Sequence, residues 1–385
     1  MKIGIDARLI NETGVGRYIR NLIKQLDSLD TQNQYIIYLS KSSFETFQLP
    51  NGNWERRLAD IRWHTFWEQI ALPLLFQKDQ LDLLHEPYFS IPIFYPGKFI
   101  VTIHDLTILH FATGKATTLP YGFYFLRKLG FWFILSCGLK RASAILAPSQ
   151  TTKQEIIDHF HVPEEKIHVT YEGVDLAIGG QRTEDREQRA ENRKQKLVTE
   201  PYFLYVGNAY PHKNLEMLVS AFGDFIGSHE KGTYRLIFVG KEDYFYSRLK
   251  KQVEEKGLQS SILFFGQVDD ETLHELYIHA EAMVFPSLME GFGLPALEAL
   301  SLGTPVICSD IPIFHEILKD FPYYISPHDR CDIARSFSQV TRKKKSEMKQ
   351  KENEIALLLK KYSWKKLGVD TLHLYNALGN TSPSI

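Results

Sequence analysis

Two carboxylates flank a glycine-containing loop in the segment Phe285–Glu298, which reads FPSLMEGFGLPALE. Glu290 stands before the loop glycines, and Glu298 follows Pro295, a residue that suits the first turn of a helix because its missing N–H is not needed there. The free N–H groups and positive dipole end of such a helix favour an anion, and a carboxylate can accept two hydroxyl hydrogen bonds. The segment predicts a phosphate or sugar site. A βα loop with two solvated glutamates is the alternative.

A second loop of this kind carries a cation. Lys213 stands in VGNAYPHKNL, where an apolar strand gives way to a Gly/Pro loop and then to a helix start. A lysine in this position is suited to neutralising a diphosphate. The alternative is an ordinary solvated lysine.

Two further segments lie in the first half of the chain. Gly14 and Gly16 follow the first predicted strand and open a helix, so they can admit a phosphate or an acceptor. They do not complete the GxGxxG dinucleotide fingerprint, because Ile19 occupies the third glycine position.

His104 and Asp105 follow the predicted strand Phe99–Ile103, at the end where ligands bind in open α/β sheets. His104 is therefore a candidate for contact with a sugar or a charged intermediate, and a His–Asp pair that braces the loop is the alternative.

The elements that would position these residues alternate along the chain. Short apolar runs, rich in β-branched residues, are separated by longer helical stretches, and most runs are continuous rather than alternating. Such strands are buried on both faces, as in a parallel sheet covered by helices. We predict two doubly wound α/β domains, 1–174 and 201–362, joined by a charged linker, 175–200, in which ten of the fifteen residues 182–196 are charged. A final helix and tail occupy 363–385.

Composition narrows the classes of function. The chain has 385 residues and a formal net charge of -1, without the basic surplus typical of nucleic-acid binders. Its three cysteines form neither a disulfide framework nor a CxxC metal pattern, which fits a reducing cytoplasm. We predict no metal site, no secretory leader and no transmembrane helix.

Residues 119–141 combine Tyr, Phe and Trp with flanking cations, which suits peripheral membrane contact, with a core helix as the alternative.

Taken together, these segments resemble family 4 glycosyltransferases of the GT-B fold, and most closely a bacterial mannosyltransferase-like branch. The resemblance rests on Glu290 and Glu298, eight residues apart, with the sequence GFGLPALEALSLGTPVICSD following Glu290. It extends over nearly the whole chain, through GVGRYIRNL, WEQIALP, VTIHDLT, KIHVTYEGVD and YVGNAYPHKNL. It implies two Rossmann-like domains facing across a cleft, an acceptor domain first and a donor domain second, with the C-terminal helix crossing back to the first.

The resemblance also implies roles for individual residues. Glu298 would bind the ribose of a nucleotide sugar, and Glu290 would hold the transferred sugar with help from the backbone of the loop. Lys213 would neutralise the diphosphate, and His104 would contact the donor sugar. The remaining implied donor-binding positions are Gly291, Phe292, Gly293, Leu294, Asn208, Val268, Gly14 and Gly16.

The implied activity is metal-independent transfer of a hexose, most closely mannose from GDP-mannose, to a glycan or lipid-linked acceptor with retention, in surface polysaccharide synthesis. The site departs from the family at Asn208, where an arginine is frequent, and at His212, where an arginine often precedes the lysine. Two alternatives remain open: a sugar-nucleotide epimerase, and a catalytically weak protein that binds nucleotide sugars or glycans. The predicted location is the cytoplasm, with peripheral contact at the inner face of the membrane.

Overall fold

The computed structural model describes residues 1–63, 65–111, 121–174, 197–228, 233–342 and 351–379, and within the helix Tyr121–Arg141 it describes the side chains from residue 129 onward. The chain forms two compact units. One comprises Met1–Leu106, Thr117–Gly173 and Ser363–Ile385, and the other comprises Thr107–Ala116 and Val174–Tyr362. Most of the predicted linker, residues 175–196, lies outside the described residues, as do residues 119–120 of the predicted membrane segment.

The first unit is built on a seven-stranded parallel sheet of order β3-β2-β1-β4-β5-β6-β7. Its strands are β1 Lys2–Asp6, β2 Gln34–Leu39, β3 Trp54–Leu58, β4 Leu83–Glu86, β5 Phe99–Thr102, β6 Ala144–Ala147 and β7 Ile167–Val169. Its helices span Gly14–Leu29, Lys41–Phe44, Glu68–Lys78, Tyr121–Arg141, Gln150–Phe160 and Trp364–Gly379. β4, β5 and β6 are buried along their whole length, and β5 and β6 accordingly appear in the sequence as runs with almost no polar residue.

The second unit is built on a six-stranded parallel sheet of order β10-β9-β8-β11-β12-β13. Its strands are β8 Tyr202–Val206, β9 Arg235–Val239, β10 Ile262–Gly266, β11 Ala282–Phe285, β12 Val306–Ser309 and β13 Tyr323–Ile325. Helices span Thr107–His110, Leu215–Gly227, Tyr244–Glu255, Asp270–His279, Leu294–Ser301, Pro312–Leu318, Arg330–Arg342 and Glu352–Leu359. The prediction of two doubly wound α/β domains is confirmed.

The pattern of apolar runs in the sequence does not predict strand β3. β3 pairs in parallel with β2 at the edge of the first sheet. Its sequence, WERRL, places charged Glu55 and Arg56 at exposed positions. An edge strand with this composition has no continuous apolar run, which is the signal that identified the other strands.

The C-terminal helix Trp364–Gly379 packs in the first unit, as predicted. Gly368 lies against helix Gly14–Leu29, where a Cβ on it would come within 2.5 Å of Gln25 Cβ. Tyr375 and His85 are joined by a buried hydrogen bond of 2.6 Å between Tyr375 Oη and His85 Nδ1. The far end of the chain therefore supports β4, one of the central strands of this sheet.

Candidate active site

Two loops meet at the carboxyl edge of the second sheet. The loop after β8 contains Lys213, and the loop after β11 contains Glu290. β8 and β11 are neighbours in the sheet, so their carboxyl ends lie side by side. The Leu288 N–H donates to the His212 carbonyl at 2.7 Å, and Asn214 Nδ2 donates to the Pro286 carbonyl at 3.2 Å. These two bonds fix the loops to each other.

An ion pair joins the two charged residues predicted for this site. Lys213 Nζ lies 2.5 Å from Glu290 Oε1, and the two side chains are 12% and 10% exposed. The ammonium group also lies 5.4 Å from the centroid of the Phe285 ring. A lysine held between a carboxylate and an aromatic face carries its charge at a fixed place, which suits it to a phosphate ligand.

The glycine loop places a helix N-terminus beside Glu290. Helix Leu294–Ser301 begins after Gly293, whose φ of 91° and ψ of 43° lie in the left-handed region. A Cβ at Gly293 would also come within 2.8 Å of the Phe314 ring, so both conformation and space require glycine there. Gly291 lies on the same loop, Phe292 stacks edge-on against Tyr362 with centroids 5.7 Å apart, and Leu294 is buried. The N-terminal N–H groups of this helix form an anion-binding end.

Glu298 lies in the first turns of the same helix and is 4% exposed. Tyr277 Oη donates a hydrogen bond of 3.1 Å to Glu298 Oε2. Tyr277 is itself held by Thr304, whose Oγ1 donates to the Tyr277 carbonyl at 2.6 Å. The orientation of the Glu298 carboxylate is therefore set by a neighbouring helix, Asp270–His279. Tyr277 was not identified from the sequence, because the periodicity of that helix marks it simply as a core residue.

Two other predicted donor-binding residues lie on the carboxyl side of this sheet. The Asn208 carbonyl accepts a hydrogen bond from Tyr205 Oη at 2.6 Å, and Asn208 Oδ1 accepts from the Tyr210 N–H at 3.3 Å. Asn208 therefore shapes its own turn in this structure. Val268 is half-buried in the short connection between β10 and helix Asp270–His279.

His212 supplies no positive charge at neutral pH. The residue is 8% exposed, and burial together with the neighbouring Lys213 charge lowers the pKa of the imidazole to about 3. The ring is therefore neutral near pH 7. The departure from the family noted at this position in the sequence is thus a loss of charge at this loop.

In the first unit, His104 is paired with a residue that sequence reasoning did not single out. His104 Nδ1 lies 3.0 Å from Glu172 Oε1, and Nε2 lies 3.0 Å from the Pro87 carbonyl oxygen. A carbonyl accepts and cannot donate, so Nε2 carries a proton in this geometry. Both ring nitrogens are engaged within the unit, and Glu172 fixes the ring. The one signal in the sequence was the position of Glu172 just after β7, at the same sheet edge.

The two glycines of the first loop differ in their surroundings. A Cβ at Gly16 would come within 2.5 Å of the Ile10 carbonyl oxygen, so this glycine permits a close approach of backbone to backbone. A Cβ at Gly14 would meet no described atom within 4 Å. Gly14 opens helix Gly14–Leu29, as predicted, and leaves room beside the helix N-terminus.

The structure thus brings together in the second unit Lys213, Glu290, the loop Gly291–Leu294 and Glu298, and places His104, Gly14 and Gly16 in the first. Across the described part of the chain, no three His, Cys, Asp or Glu side chains are arranged to hold a metal ion. No helix of the described residues is long and apolar enough to cross a membrane.

Comparison with known proteins defines the class to which this fold and site belong. The family Glycosyltransferase Family 4 matches residues 13–178, and the family Glycosyl transferases group 1 matches residues 185–356. The chain is similar in structure to a sucrose-phosphate synthase from Thermosynechococcus elongatus, with a TM-score of 0.76 at 19% identity, covering 99% of this chain and 100% of that one. It is also similar to the Anabaena protein HepE in complex with UDP and glucose, with a TM-score of 0.75 at 14% identity, covering 98% and 100%. The fold is that of the GT-B glycosyltransferases.

The relatives found by sequence have names that specify a narrower class of enzyme than the structural neighbours do. An O-antigen chain mannosyltransferase of Salmonella typhimurium is 30% identical over 314 residues, which cover 80% of this chain and 79% of the relative. An O-antigen chain mannosyltransferase B of Escherichia coli is 28% identical over 388 residues, covering 95% and 96%. The chain belongs to glycosyltransferase family 4, and the resemblance seen in the sequence is confirmed.

The Lys213–Glu290 pair generates a first prediction. In Glu290→Gln the carboxylate that competes for Lys213 is removed, so a nucleoside diphosphate should bind about fivefold more tightly, equivalent to roughly 1 kcal/mol. Glycosyl transfer should fall in the same variant. Calorimetric titration and initial rates measure the two effects. Glu164→Gln, which removes the carboxylate of the Lys153–Glu164 pair in the first unit, is the control and should change neither. Weaker diphosphate binding in Glu290→Gln would contradict this account of the pair.

The buried His212 ring generates a second prediction. Its pKa is about 3 in the folded chain, against roughly 6.5 when unfolded. The unfolded chain therefore takes up the proton first, so stability is fully present above about pH 6.5 and falls as the pH is lowered. At pH 5 the loss reaches about 2 kcal/mol. Unfolding midpoints of His212→Gln should fall less between pH 7.5 and 5 than those of the parent.

The matched control for this titration is His328→Gln, because His328 is exposed in the same unit. This substitution removes an exposed imidazole, so its effect on the unfolding midpoints measures the change of side chain without burial. Identical pH dependence in the parent and His212→Gln would show that His212 is not desolvated.

Proposed function

We propose that this chain transfers a mannosyl residue from GDP-mannose to a glycan or lipid-linked acceptor, with retention of anomeric configuration, in surface polysaccharide synthesis. The observation that carries the proposal is the fixed arrangement of Lys213, Glu290 and the N-terminus of helix Leu294–Ser301. The choice of mannose is supported by the printed names of two relatives, both O-antigen chain mannosyltransferases.

Each group in this arrangement has a role in the proposed donor complex. Glu298, oriented by Tyr277, accepts hydrogen bonds from the ribose hydroxyls. Glu290 accepts hydrogen bonds from the mannose hydroxyls, and Lys213 pairs with the diphosphate. Backbone N–H groups of the loop Gly291–Leu294 provide further donors to phosphate or sugar oxygens.

The proposed reaction breaks the bond between the anomeric carbon and the β-phosphate oxygen. The bonding electron pair stays on that oxygen, and Lys213 with the helix N-terminus stabilises the negative charge that develops. The acceptor hydroxyl oxygen forms the new glycosidic bond on the same face. Its proton passes to the departing phosphate oxygen, so the step needs no dedicated protein base. With these groups neutralising the leaving diphosphate, we propose that no metal ion takes part.

A binding panel tests the donor. GDP and GDP-mannose should raise the unfolding temperature, while UDP, ADP, UDP-glucose and UDP-N-acetylglucosamine should not. A ligand at about 100 times its dissociation constant adds roughly 2.7 kcal/mol. The shift should disappear in Glu298→Ala and persist in Glu254→Ala, which removes an exposed carboxylate on helix Tyr244–Glu255. With an acceptor glycan present, NMR should show an α-mannosyl product. Addition of a metal chelator should not reduce the rate at which this product forms.

Other outcomes separate the alternatives. A shift caused by UDP compounds alone would overturn the GDP assignment. Isomerisation of the donor without any acceptor would identify an epimerase. Donor binding without transfer to a broad set of acceptors would identify a binding protein, the alternative that Asn208 keeps open. A β-linked product would refute retention.

We also propose peripheral membrane contact through the predicted segment 119–141. Helix Tyr121–Arg141 exposes Leu129, Trp132 and Phe133 to 49%, 48% and 57%. Arg141 at its end is an exposed residue that also donates to the Tyr95 carbonyl at 2.7 Å. Exposed aromatic side chains beside cations suit the headgroup region of a bilayer that contains anionic lipid.

Vesicle binding tests this contact. The chain should co-sediment with vesicles of phosphatidylglycerol and phosphatidylcholine, and the double variant Trp132→Ala/Phe133→Ala should bind at least about fivefold more weakly, since two buried aromatic contacts are lost. Leu357→Ala removes a side chain that is 66% exposed in the second unit, and it should bind as the parent does. Equal binding by all three proteins would refute contact through this helix.

A further inference from the structure

Three aromatic side chains stand exposed on the turn that leads into helix Glu68–Lys78. Trp63, Phe66 and Trp67 are 42%, 78% and 64% exposed. We call these three residues the aromatic turn. Exposed apolar area of this kind is unfavourable in water, and a concentrated patch commonly marks a binding surface.

The aromatic turn lies at the point where ligands enter this type of sheet. In the order β3-β2-β1-β4-β5-β6-β7, the chain runs outward from β1 to β2 and β3 on one side, and from β4 to β5, β6 and β7 on the other. β1 and β4 therefore flank the topological switch point, and ligands bind outside the carboxyl ends of the strands there. β1 ends at Asp6, and Arg8 follows two residues later.

Arg8 attaches the turn to this point from both sides. Its Nη1 donates to the Ile61 carbonyl at 2.9 Å, and its Nη2 donates to Glu68 Oε1 at 2.8 Å. Ile61 precedes the aromatic turn and Glu68 follows it. The three aromatic side chains are thus carried by a segment whose two ends are held by one guanidinium at the carboxyl end of β1.

The attachment is buried and rigid. Arg8 Nη2 also lies 2.6 Å from Asp6 Oδ2, and the side chains of Arg8, Asp6 and Glu68 are 5%, 6% and 3% exposed. Burying charges is costly unless each is paired, so a network of this kind fixes position more than it adds stability. Within the turn, Thr65 Oγ1 donates to the Arg62 carbonyl at 2.7 Å and accepts from the Glu68 N–H at 3.3 Å.

The aromatic turn carries no excess of positive charge. At the surface, exposed Arg62 is matched by exposed Asp60. In the buried network, Arg8 is paired with Asp6 and Glu68. Nearby Glu86 adds little charge, because burial and the Asp6 carboxylate raise its pKa well above the usual range. A surface without an excess of positive charge has no particular attraction for anionic headgroups. It suits a neutral ligand with apolar C–H faces and hydroxyl edges, which is the chemistry of a pyranose ring.

We infer that the aromatic turn is a platform on which pyranose rings of the acceptor glycan stack. The inference rests on the proposed function for its acceptor role, but the binding itself needs no donor and no transfer. The exposed rings pack against C–H faces of the sugar, and the Arg8 network holds them in place. This assigns acceptor recognition to particular side chains of the first unit.

Tryptophan fluorescence tests the platform without a donor. Of the five tryptophans, Trp54 and Trp364 are each 3% exposed, and Trp132 is 48% exposed on helix Tyr121–Arg141. In a Trp132→Phe background, therefore, the exposed tryptophans that report are Trp63 and Trp67. Titration with α-linked mannotriose should give a saturable change in emission. Adding Phe66→Ala, which keeps both reporters, should raise the dissociation constant about tenfold, as loss of one aromatic stacking contact predicts.

The matched control is Leu74→Ala in the same background. Leu74 is 55% exposed on helix Glu68–Lys78, about two helical turns beyond Trp67, and its loss should leave mannotriose binding unchanged. In transfer assays, Phe66→Ala should raise the KM for the acceptor about tenfold and leave GDP binding intact.

Three results would overturn the platform. The first is the absence of any saturable change with mannotriose or with a wider set of soluble oligosaccharides. The second is an emission change with anionic vesicles but not with sugars, which would make the turn a lipid contact. The third is an emission change on raising the protein concentration alone, which would make it an interface between two copies. A platform that binds glycan while no donor is accepted would leave this inference standing and refute the proposed transfer.

Discussion

The parallel pairing of β8 with β11 is the constraint on which the candidate active site depends. The two strands are far apart in sequence, but they are neighbours at the centre of the second sheet and end at the same edge. Their loops are joined by the Leu288–His212 backbone bond and by Asn214. Without this adjacency, Lys213 and Glu290 would be two solvated charges. With it, they form a pair of 2.5 Å beside the opening turn of a helix.

In the first unit, too, the candidate functional side chains lie at the carboxyl ends of neighbouring parallel strands, but the side chains that hold them are different. There β1 and β4 flank the switch point, and a buried guanidinium, Arg8, takes the place that glycine loops and backbone bonds take in the second sheet. Farther along the same edge, Glu172 and the Pro87 carbonyl hold the His104 ring. In both units, therefore, the groups at the carboxyl edge are fixed before any ligand arrives, which lowers the cost of ordering them on binding.

Much of this arrangement could be predicted from the sequence, for identifiable reasons. Central strands are buried on both faces and appear as continuous apolar runs, and Pro295 after two glycines marks a helix start behind a tight loop. β3 was not predicted because it is an edge strand with charged residues and has no continuous apolar run. Tyr277 and Glu172 were not predicted for another reason. Tyr277 contacts Glu298, 21 residues away, and Glu172 contacts His104, 68 residues away, and a single sequence does not show which distant residues lie together. The aromatic turn was not predicted because its residue types are those of a core segment, and only the structure shows that they are exposed.

In the proposed donor complex, the charges of the second site couple recognition of the sugar to neutralisation of the diphosphate. His212 is neutral and Asn208 is uncharged, so Lys213 is the formal cation among the loop residues described after β8. Before a donor binds, Glu290 cancels most of its charge, and the helix N-terminus contributes about half a positive charge. In the proposed complex, sugar hydroxyls occupy Glu290 and weaken its hold on Lys213, whose charge then becomes available to the diphosphate. A nucleotide without a sugar leaves the ion pair intact and meets a less positive site. In the proposed function, the pair therefore favours the complete donor over the spent nucleoside diphosphate, and this preference helps the product to leave after transfer.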